Sequence, residues 1–566
     1  MSAWSASEQL RDDRRIIIAS NRLPFTVRLE DDTLVVQEST GGLVSGLSAW
    51  LETLRPTGPT SYTWVGWPGM NVEQQDRAEL EAVAKEHFNA YPVYLSEEEM
   101  ERFYQGFCNT TIWPLFHYFP SYAAFHDEHW TIYQDVNRAF CEAVLQVYRP
   151  GDMIWVHDYH LMLLPRLLRE QLPDAPIGFF LHIPFPSYEM LRMLPETWRS
   201  GILTGLLGAD LIGFHAHDYT DHFRRSVQRF LKRERSGDDL QPGEHFARAS
   251  TFPMGINYPR YAAAAESSAA REERVHLRED LGDRKIILAV DRLDYTKGII
   301  NRLEGYALFL EQNPGWHGKV VMALTLTPSR VGVQRYQETK QQIESLVGSI
   351  NGRFGHMGWV PVRYQYRFVP LTQLAAMYSI SDVALVTPIR DGMNMVAKEY
   401  LASRTDGTGV LILSVLAGAA EELREAVLVN PNSLTEIASG IKTALDMPVA
   451  EQKQRNRVMQ QRLKSYDVTP WAQQFIRELA KMHDILHGRM PRGDAAISSQ
   501  AGENSHASAD NKRSRRQVFL HQHGLVLPLR AQSHAQAGEG RGLADAEGPD
   551  EGGGSDVRGK LTEDGL

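Results

Sequence analysis

The stretch VALVTPIRDGMNMVAKEY, Val383 to Tyr400, carries the plan of the chain. An apolar run, VALVTP, stops abruptly at Arg390-Asp391-Gly392, and a helix-prone segment, MVAKEY, follows at once. The run is too apolar for a strand with one wet face. It reads as a buried strand of a parallel sheet, with the helix after it as a crossover. The polar turn between them has two readings. One is a plain turn into a capped helix, since Asp and Asn favour helix N-termini. The other is a ligand site, because the N–H groups that open a helix are free and favour anions.

Outward from this stretch the same pattern recurs. RIIIAS (Arg15–Ser20), MIWVHD (Met153–Asp158), IGFFLH (Ile177–His182) and DLIGFHA (Asp210–Ala216) form a first series. KIILAVDR (Lys285–Arg292), KVVMALT (Lys319–Thr325), VALVTP, GVLILS (Gly409–Ser414) and AVLVNP (Ala426–Pro431) form a second. Helical segments separate them, which predicts an α/β chain of two doubly wound, Rossmann-like domains. The expected divisions are an N-terminal extension over 1–14, a first domain over 15–255, a second over 256–465, a helical segment over 466–488 and a disordered polar tail over 489–566. The join falls near FPMGINYP (Phe252–Pro259), where Pro and Gly interrupt the pattern. Asp239 to Ser250 reads as a surface loop, and WAQQFIRELAKMHDIL (Trp471–Leu486) as a last amphipathic helix. The tail is too rich in Gly, Ala, Ser, Asp and Glu to bury a core. Within it, KRSRRQVFLHQHGLVLPLR (Lys512–Arg530) reads either as a docking segment or as a chance apolar island.

A chain of 566 residues exceeds one ordinary core, in keeping with two domains. Its net charge of −10 argues against nucleic acid as the main partner. No apolar run is long enough to span a bilayer, so no membrane association is expected. Two cysteines, Cys108 and Cys141, suit a reducing compartment, and the cytoplasm is the expected location.

In open parallel sheets, ligands bind outside the carboxyl ends of the strands. Here those ends carry Asn21-Arg22, His157-Asp158, His182, Asp291-Arg292, Arg330 and Arg390-Asp391. Together they predict a polar, arginine-rich cleft suited to phosphates. In RLDYTKGI (Arg292–Ile299), two cations beside a helix N-terminus would hold a diphosphate; the plainer reading pairs them with Asp294. TGGLVSGL (Thr40–Leu47) is a glycine-rich loop, but neither GxGxxG nor GxxxxGK[ST] occurs, so nicotinamide and P-loop readings lack their fingerprint. HDYHLMLLP (His157–Pro165) has two histidines three apart with no HExxH or cysteine pair, so no metal is expected, and Asp158 reads as an acceptor for sugar hydroxyls. His182 in FLHIPFPS (Phe180–Ser187) is either a core histidine or a donor to a substrate hydroxyl. FYQGFCNTTIWPLFHY (Phe103–Tyr118) and YTWVGWPG (Tyr62–Gly69) are either core or a platform for sugar rings.

In combination, SNRLP, GGLVSGL, WVGWPG, WPLFHY, HDYHLMLLP, FFLHIPFPS, DRLDYTKG, TPSR and RDGMNMVAKEY are distinctive. From about Arg14 to Leu486 the chain resembles the trehalose-6-phosphate synthase family of retaining glycosyltransferases, which have the GT-B fold. The resemblance implies transfer of glucose from UDP-glucose, or a related nucleotide-glucose, to glucose-6-phosphate, with no metal or other cofactor. It implies a donor side of Gly42, Arg292, Lys297, Asp391, Gly392, Met393, Asn394, Met395, Val396 and Glu399. Arg292 and Lys297 would hold the diphosphate, Glu399 the ribose, and Asp391 with the N–H groups after it the glucose. His182 would lie near the donor sugar, and the catalytic set would be His182, Arg292, Lys297 and Asp391. The implied acceptor side is Arg22 and Arg330 on the 6-phosphate, with Trp67, Tyr104, Trp113 and Asp158 around the sugar; Trp64 competes with Trp67 within the same motif. Front-face transfer is expected, since the motifs supply no pair of carboxylates spaced for a covalent intermediate. A homo-oligomer is also expected, as is a separate phosphatase for the product. TDGTG (Thr405–Gly409) resembles a phosphatase signature but has Arg404 where the nucleophilic Asp would stand. The rival readings are a glucosylglycerol-phosphate synthase and a non-catalytic sugar-phosphate-sensing subunit.

Overall fold

All nine apolar runs become strands, and every one pairs in parallel. In this computed structural model the described residues are 14–30, 33–38, 44, 46–48, 50–51, 62–232, 235–236, 239–240, 246–330, 332–486 and 525–528. The first sheet contains β1 (Ile16–Arg22), β4 (Tyr62–Trp67), β5 (Ala90–Pro92), β6 (Met153–His157), β7 (Ile177–Phe180), β8 (Leu211–Phe214) and β11 (Ala247–Thr251). Its order is β5-β4-β1-β6-β7-β8-β11, extended by the two-residue strands β10 (Asp239–Leu240) and β9 (Arg235–Ser236). The second sheet contains β12 (Lys285–Arg292), β13 (Val320–Thr327), β14 (Val362–Tyr366), β15 (Val383–Val386), β16 (Val410–Ser414) and β17 (Val427–Val429), ordered β14-β13-β12-β15-β16-β17.

Each sheet grows outward from its first strand and then reverses, the doubly wound order in which ligands bind where the direction changes. The reversal lies between β1 and β6 in one sheet and between β12 and β15 in the other. Those four strand ends carry Arg22, Asp158, Arg292 and the Arg390–Asn394 turn. The architecture is a GT-B fold with two Rossmann-like domains.

The helix Val468–Leu486 returns to the first sheet rather than standing apart. Trp471, Phe475 and Leu479 join the core that holds Trp155 and Phe180. A Cβ on Gly178 would stand 2.7 Å from the Phe475 ring, so the glycine lets the helix reach the strand. The two crossings between domains also touch. A Cβ on Gly255 would meet the Asp467 carbonyl carbon at 2.3 Å, and the Val468 N–H donates to the Ile256 carbonyl at 3.1 Å.

Two expectations need correction. Asp239–Ser250 is not simply a loop, since it supplies β10 and most of β11. β11 buries only Ala247 and Ala249 on one face, too little apolar character to register as a run. In the segment expected as a disordered tail, Leu525–Pro528 forms β18, antiparallel to β3 (Thr33–Glu38), which pairs with β2 (Phe25–Glu30). The rest of that segment lies outside the described residues. Strands β4, β5 and β14 were not anticipated; in β14, VRYQY alternates exposed and covered positions as an edge strand does.

Candidate active site

The two reversal points open on one cleft, and the domains touch across it. The Tyr219 hydroxyl donates to the Asp391 carbonyl at 3.2 Å, and a Cβ on Gly392 would lie 2.3 Å from the His182 carbonyl oxygen. Gly392 is therefore required by the close approach of two backbones. Arg390 lies over the Tyr118 ring at 3.8 Å, and Arg330 over the Trp113 ring at 3.7 Å.

On the second domain's side, Gly298 adopts φ 64° and opens the helix Ile299–Gln312. A Cβ there would strike the Thr387 carbonyl at 2.3 Å, which draws the end of β12 against the end of β15. Lys297 reaches Asp391, Nζ to Oδ2 2.6 Å, and the same oxygen accepts from Asn394 Nδ2 at 3.0 Å. Burial works to raise the Asp391 carboxyl, but Lys297, His117 and Asn394 more than offset it and leave it below its usual range. Asn394 also caps the helix Met395–Ser403, accepting from the Ala397 N–H at 3.1 Å. The N–H groups of Met395 and Val396 stay free of intrahelical partners, as at any helix start. Met393 is buried, its carbonyl accepting from the Ala419 N–H at 2.8 Å. One turn along, Glu399 accepts from Tyr261 at 2.9 Å and Tyr378 at 3.1 Å, and burial raises its carboxyl. Arg292 is exposed and lies 5.9 Å from the Trp113 ring centroid. Gly42 lies outside the described residues.

Opposite these, the exposed Arg22 lies 5.0 Å from the Trp67 ring centroid and 5.7 Å from that of Tyr104. Trp64 is committed elsewhere, its indole N–H donating to Ser20 Oγ at 2.8 Å within the opposite core. Tyr104 belongs to a π-helical stretch, Glu101–Ile112, and stacks on His160. Such stretches are rare and concentrate at functional sites. Burial alone would raise the Tyr104 phenol, yet Arg330, Arg22 and Arg292 together bring it below its ordinary value. Guanidinium groups of both domains thus act on one phenol. Arg330 is itself tied down, donating to Asp294 Oδ2 at 2.9 Å, to the Tyr336 hydroxyl, and to the Tyr159 hydroxyl at 3.3 Å.

Backbone strain marks the same place. Among the described residues, Asp158, Arg330 and Asn394 are three of the six non-glycine residues with positive φ, at 73°, 45° and 80°. Asp158, at ψ 168°, occupies a region nearly exclusive to glycine, and such strain gathers at functional sites. Burial also raises its carboxyl to about 6. Ionised Asp158 therefore works against folding above pH 6, and this penalty vanishes below the ordinary carboxylate range, near pH 4. Asp158→Asn is expected to stabilise the protein by ~1–3 kcal/mol at pH 7.5 and by almost nothing at pH 4. Thermal melts at the two pH values measure this.

The model of one family, described as glycosyltransferase family 20, matches residues 14–481, most of the chain. The chain belongs to glycosyltransferase family 20. A bifunctional trehalose-6-phosphate synthase/phosphatase of Thermoproteus tenax is 46% identical over 471 residues, covering 82% of this chain and 63% of that protein. An alpha,alpha-trehalose-phosphate synthase [UDP-forming] of Pichia angusta is 40% identical, covering 82% and 99%. Like the Thermoproteus protein, the Dictyostelium discoideum synthase A is spanned for less than two thirds of its length, 62%. Among solved structures, a Burkholderia xenovorans synthase in complex with glucose-6-phosphate superposes with TM-score 0.74 at 31% identity, covering 82% of this chain and 100% of that one. An E. coli structure bound with UDP-2-fluoro glucose gives 0.73 at 32%, covering 82% and 98%.

Some residues of this family 20 site were not legible in the sequence. Asp291 does not face the cleft: it is buried against Arg302 at 2.7 Å, and Arg302 also donates to Thr387 Oγ1 at 3.2 Å and to the Lys297 carbonyl at 3.2 Å. Arg302 thereby fixes the backbone that carries Lys297. Asp294 was read as a partner for Arg292 or Lys297, yet it holds Arg330. His117 donates from Nδ1 to the Trp113 carbonyl at 2.7 Å, and burial lowers it to about 4, so it stays neutral beside Asp294 and Asp391. Among the described residues, no three His, Cys, Asp or Glu side chains are grouped to hold a metal, and no helix is long and apolar enough to cross a membrane.

Proposed function

We propose that the chain transfers glucose from UDP-glucose to glucose-6-phosphate with retention, forming alpha,alpha-trehalose 6-phosphate and UDP. The observation that carries this reading is the cleft with cations at both reversal points, Arg22 against Tyr104 and Arg292 and Arg330 against Trp113. One anion-binding cluster suits the diphosphate of a nucleotide sugar, and the other a sugar phosphate. The ligands of the two solved relatives, glucose-6-phosphate and UDP-2-fluoro glucose, are of those two classes.

On the donor side, Arg292 and Lys297 take the diphosphate and stabilise the charge that grows on it as the glycosidic bond breaks. The diphosphate competes with Asp391 for the Lys297 ammonium. Asp391 Oδ2 is then released toward the glucose hydroxyls, with the free N–H groups of Met395 and Val396 beside it. Glu399, with two tyrosines ordering its carboxylate, receives the ribose. On the acceptor side, Arg22 and Arg330 receive the 6-phosphate, Trp67 and Trp113 flank the ring, and Asp158 accepts from a hydroxyl. The leaving diphosphate takes the proton of the attacking hydroxyl on the same face. The Thr405–Gly409 stretch does not serve as a phosphatase site, and removal of the phosphate falls to a separate activity. Arg404, which replaces the phosphatase nucleophile, is a buried strut to the Ser379 and Ser381 carbonyls.

The test pairs UDP-, GDP- and ADP-glucose with glucose-6-phosphate, glycerol-3-phosphate and free glucose, with products identified by NMR. Expected is an α,α-linked phosphodisaccharide from UDP-glucose and glucose-6-phosphate. Free glucose should be at least ~100-fold poorer in kcat/KM, because it forfeits the phosphate contacts that close the cleft. Preference for glycerol-3-phosphate would replace this reading with glucosylglycerol-phosphate synthesis, and no transfer with any pair would leave the sensing subunit.

A further inference from the structure

Behind the donor side, three adjacent strands of the first sheet, β6, β7 and β8, bring His157, His182 and His215 into one column. His157 Nδ1 and His182 Nε2 are 3.1 Å apart with rings 21° from parallel, and the His182 and His215 centroids are 5.2 Å apart. Only His182 has a plain connection to the reaction, since its carbonyl lies under the Asp391–Gly392 turn. Its own N–H donates to Asp158 Oδ1 at 3.2 Å, tying it to the acceptor side as well.

The contact between His157 and His182 needs one proton, and that proton can sit on either ring. If His182 Nε2 carries it, His157 must be bare at Nδ1, and its own proton moves to Nε2. His157 Nε2 is sealed from solvent and has no partner among the described residues. That arrangement buries an N–H with no acceptor, among the rarest states in folded proteins. If His157 Nδ1 carries the proton instead, the orphan is only a lone pair, and His182 Nε2 accepts. His182 must then hold its proton on Nδ1, which is not among the sealed, partnerless nitrogens. Burial keeps all three rings well toward the neutral form, so no second proton blurs the choice.

We propose that His157 is a positioning residue: its Nδ1–H donates to His182 Nε2 and so holds the His182 proton on Nδ1, as a neutral hydrogen-bond donor to the glucose of the nucleotide sugar. The role assigned to that donor rests on the proposed glucosyl transfer; the tautomer does not. The device gives the site a fixed N–H and keeps an imidazolium away from the cationic charge that develops at the anomeric carbon. At metal sites, partners that fix a histidine tautomer are typically worth about 10–100-fold in affinity or activity, and the same order is expected here.

Two measurements test it. Long-range 1H–15N correlations on the [15N]histidine-labelled full chain, with His182 assigned through His182→Gln, are expected to place the His182 proton on Nδ1. A proton on Nε2 overturns the proposal. Steady-state kinetics then compare His157→Asn, whose amide N–H stands where Nδ1 does, with His157→Phe, which keeps the ring and loses the donor. Expected is a kcat lowered about 10–100-fold in His157→Phe, little change in KM for glucose-6-phosphate, and most of the rate kept in His157→Asn. Wild-type kcat in His157→Phe, or equal losses in both variants, overturns the positioning role. If the wild-type chain transfers no glucose, the functional reading fails while the NMR result still decides the tautomer.

Discussion

Replacing Arg292 or Lys297 with alanine is expected to lower the rate of transfer by two or more orders of magnitude. On the proposed function each removes a charged contact to the leaving diphosphate, and one preorganised donor is typically worth ~3–4 kcal/mol of barrier. The two variants should differ in stability. Arg292 is exposed and has no ion pair among the described residues, so Arg292→Ala should melt like the parent. Lys297→Ala strands Asp391, whose side chain is 14% exposed. With Lys297 in place, the Asp391 carboxyl lies below its ordinary value, so it adds stability that is present at neutral pH and is lost as pH falls through that lowered value. Lys297→Ala should therefore lower the melting temperature at pH 7 and much less at pH 3, and adding Asp391→Asn should recover stability but not rate. Near-parental turnover in either alanine variant would remove the diphosphate assignment.

Arg330→Ala is expected to raise KM for glucose-6-phosphate far more than KM for the nucleotide sugar, and also to destabilise the fold. A phosphate clamp and a structural ion pair are not alternatives here. Arg330 is 5% exposed and its partner Asp294 0%. Removing one member of such a pair typically costs ~3–5 kcal/mol, because the other charge remains buried. Asp294 also accepts from the Thr296 N–H at 2.9 Å, a bond asparagine can keep. Arg330→Gln with Asp294→Asn should thus restore most of the stability while acceptor KM stays high. Acceptor KM returning with the melting temperature would mean that Arg330 only supports the fold.

Much of the proposed donor side is contiguous, so its local geometry was legible. Asp391 to Glu399 span one turn and the helix it opens, so strand end, cap and free N–H groups all follow from local rules. Arg292, Lys297 and Gly298 were legible for the same reason. Asp291 was misread because its strand is covered on both faces, and a run without alternation does not say which side chains look outward. Trp64 and Trp67 differ by an odd number of positions on one strand and point to opposite cores, a parity the motif alone does not assign.

The sequence by itself determined the periodic part of this protein: which runs are buried strands, that they pair in parallel, that two such sheets follow one another, and which strand ends are polar. Hydrophobic patterning and turn chemistry act over a few residues, so they can be read locally. Only the tertiary structure decided which polar groups meet. Arg330 bonds to Asp294, 36 positions away, and to Tyr159, 171 positions away, while the Tyr219 hydroxyl crosses 172 positions to the Asp391 carbonyl. His157 meets His182 only because β6 and β7 are neighbours. Such pairings follow from sheet order and domain closure, and a buried charge or N–H takes whatever partner those bring within reach.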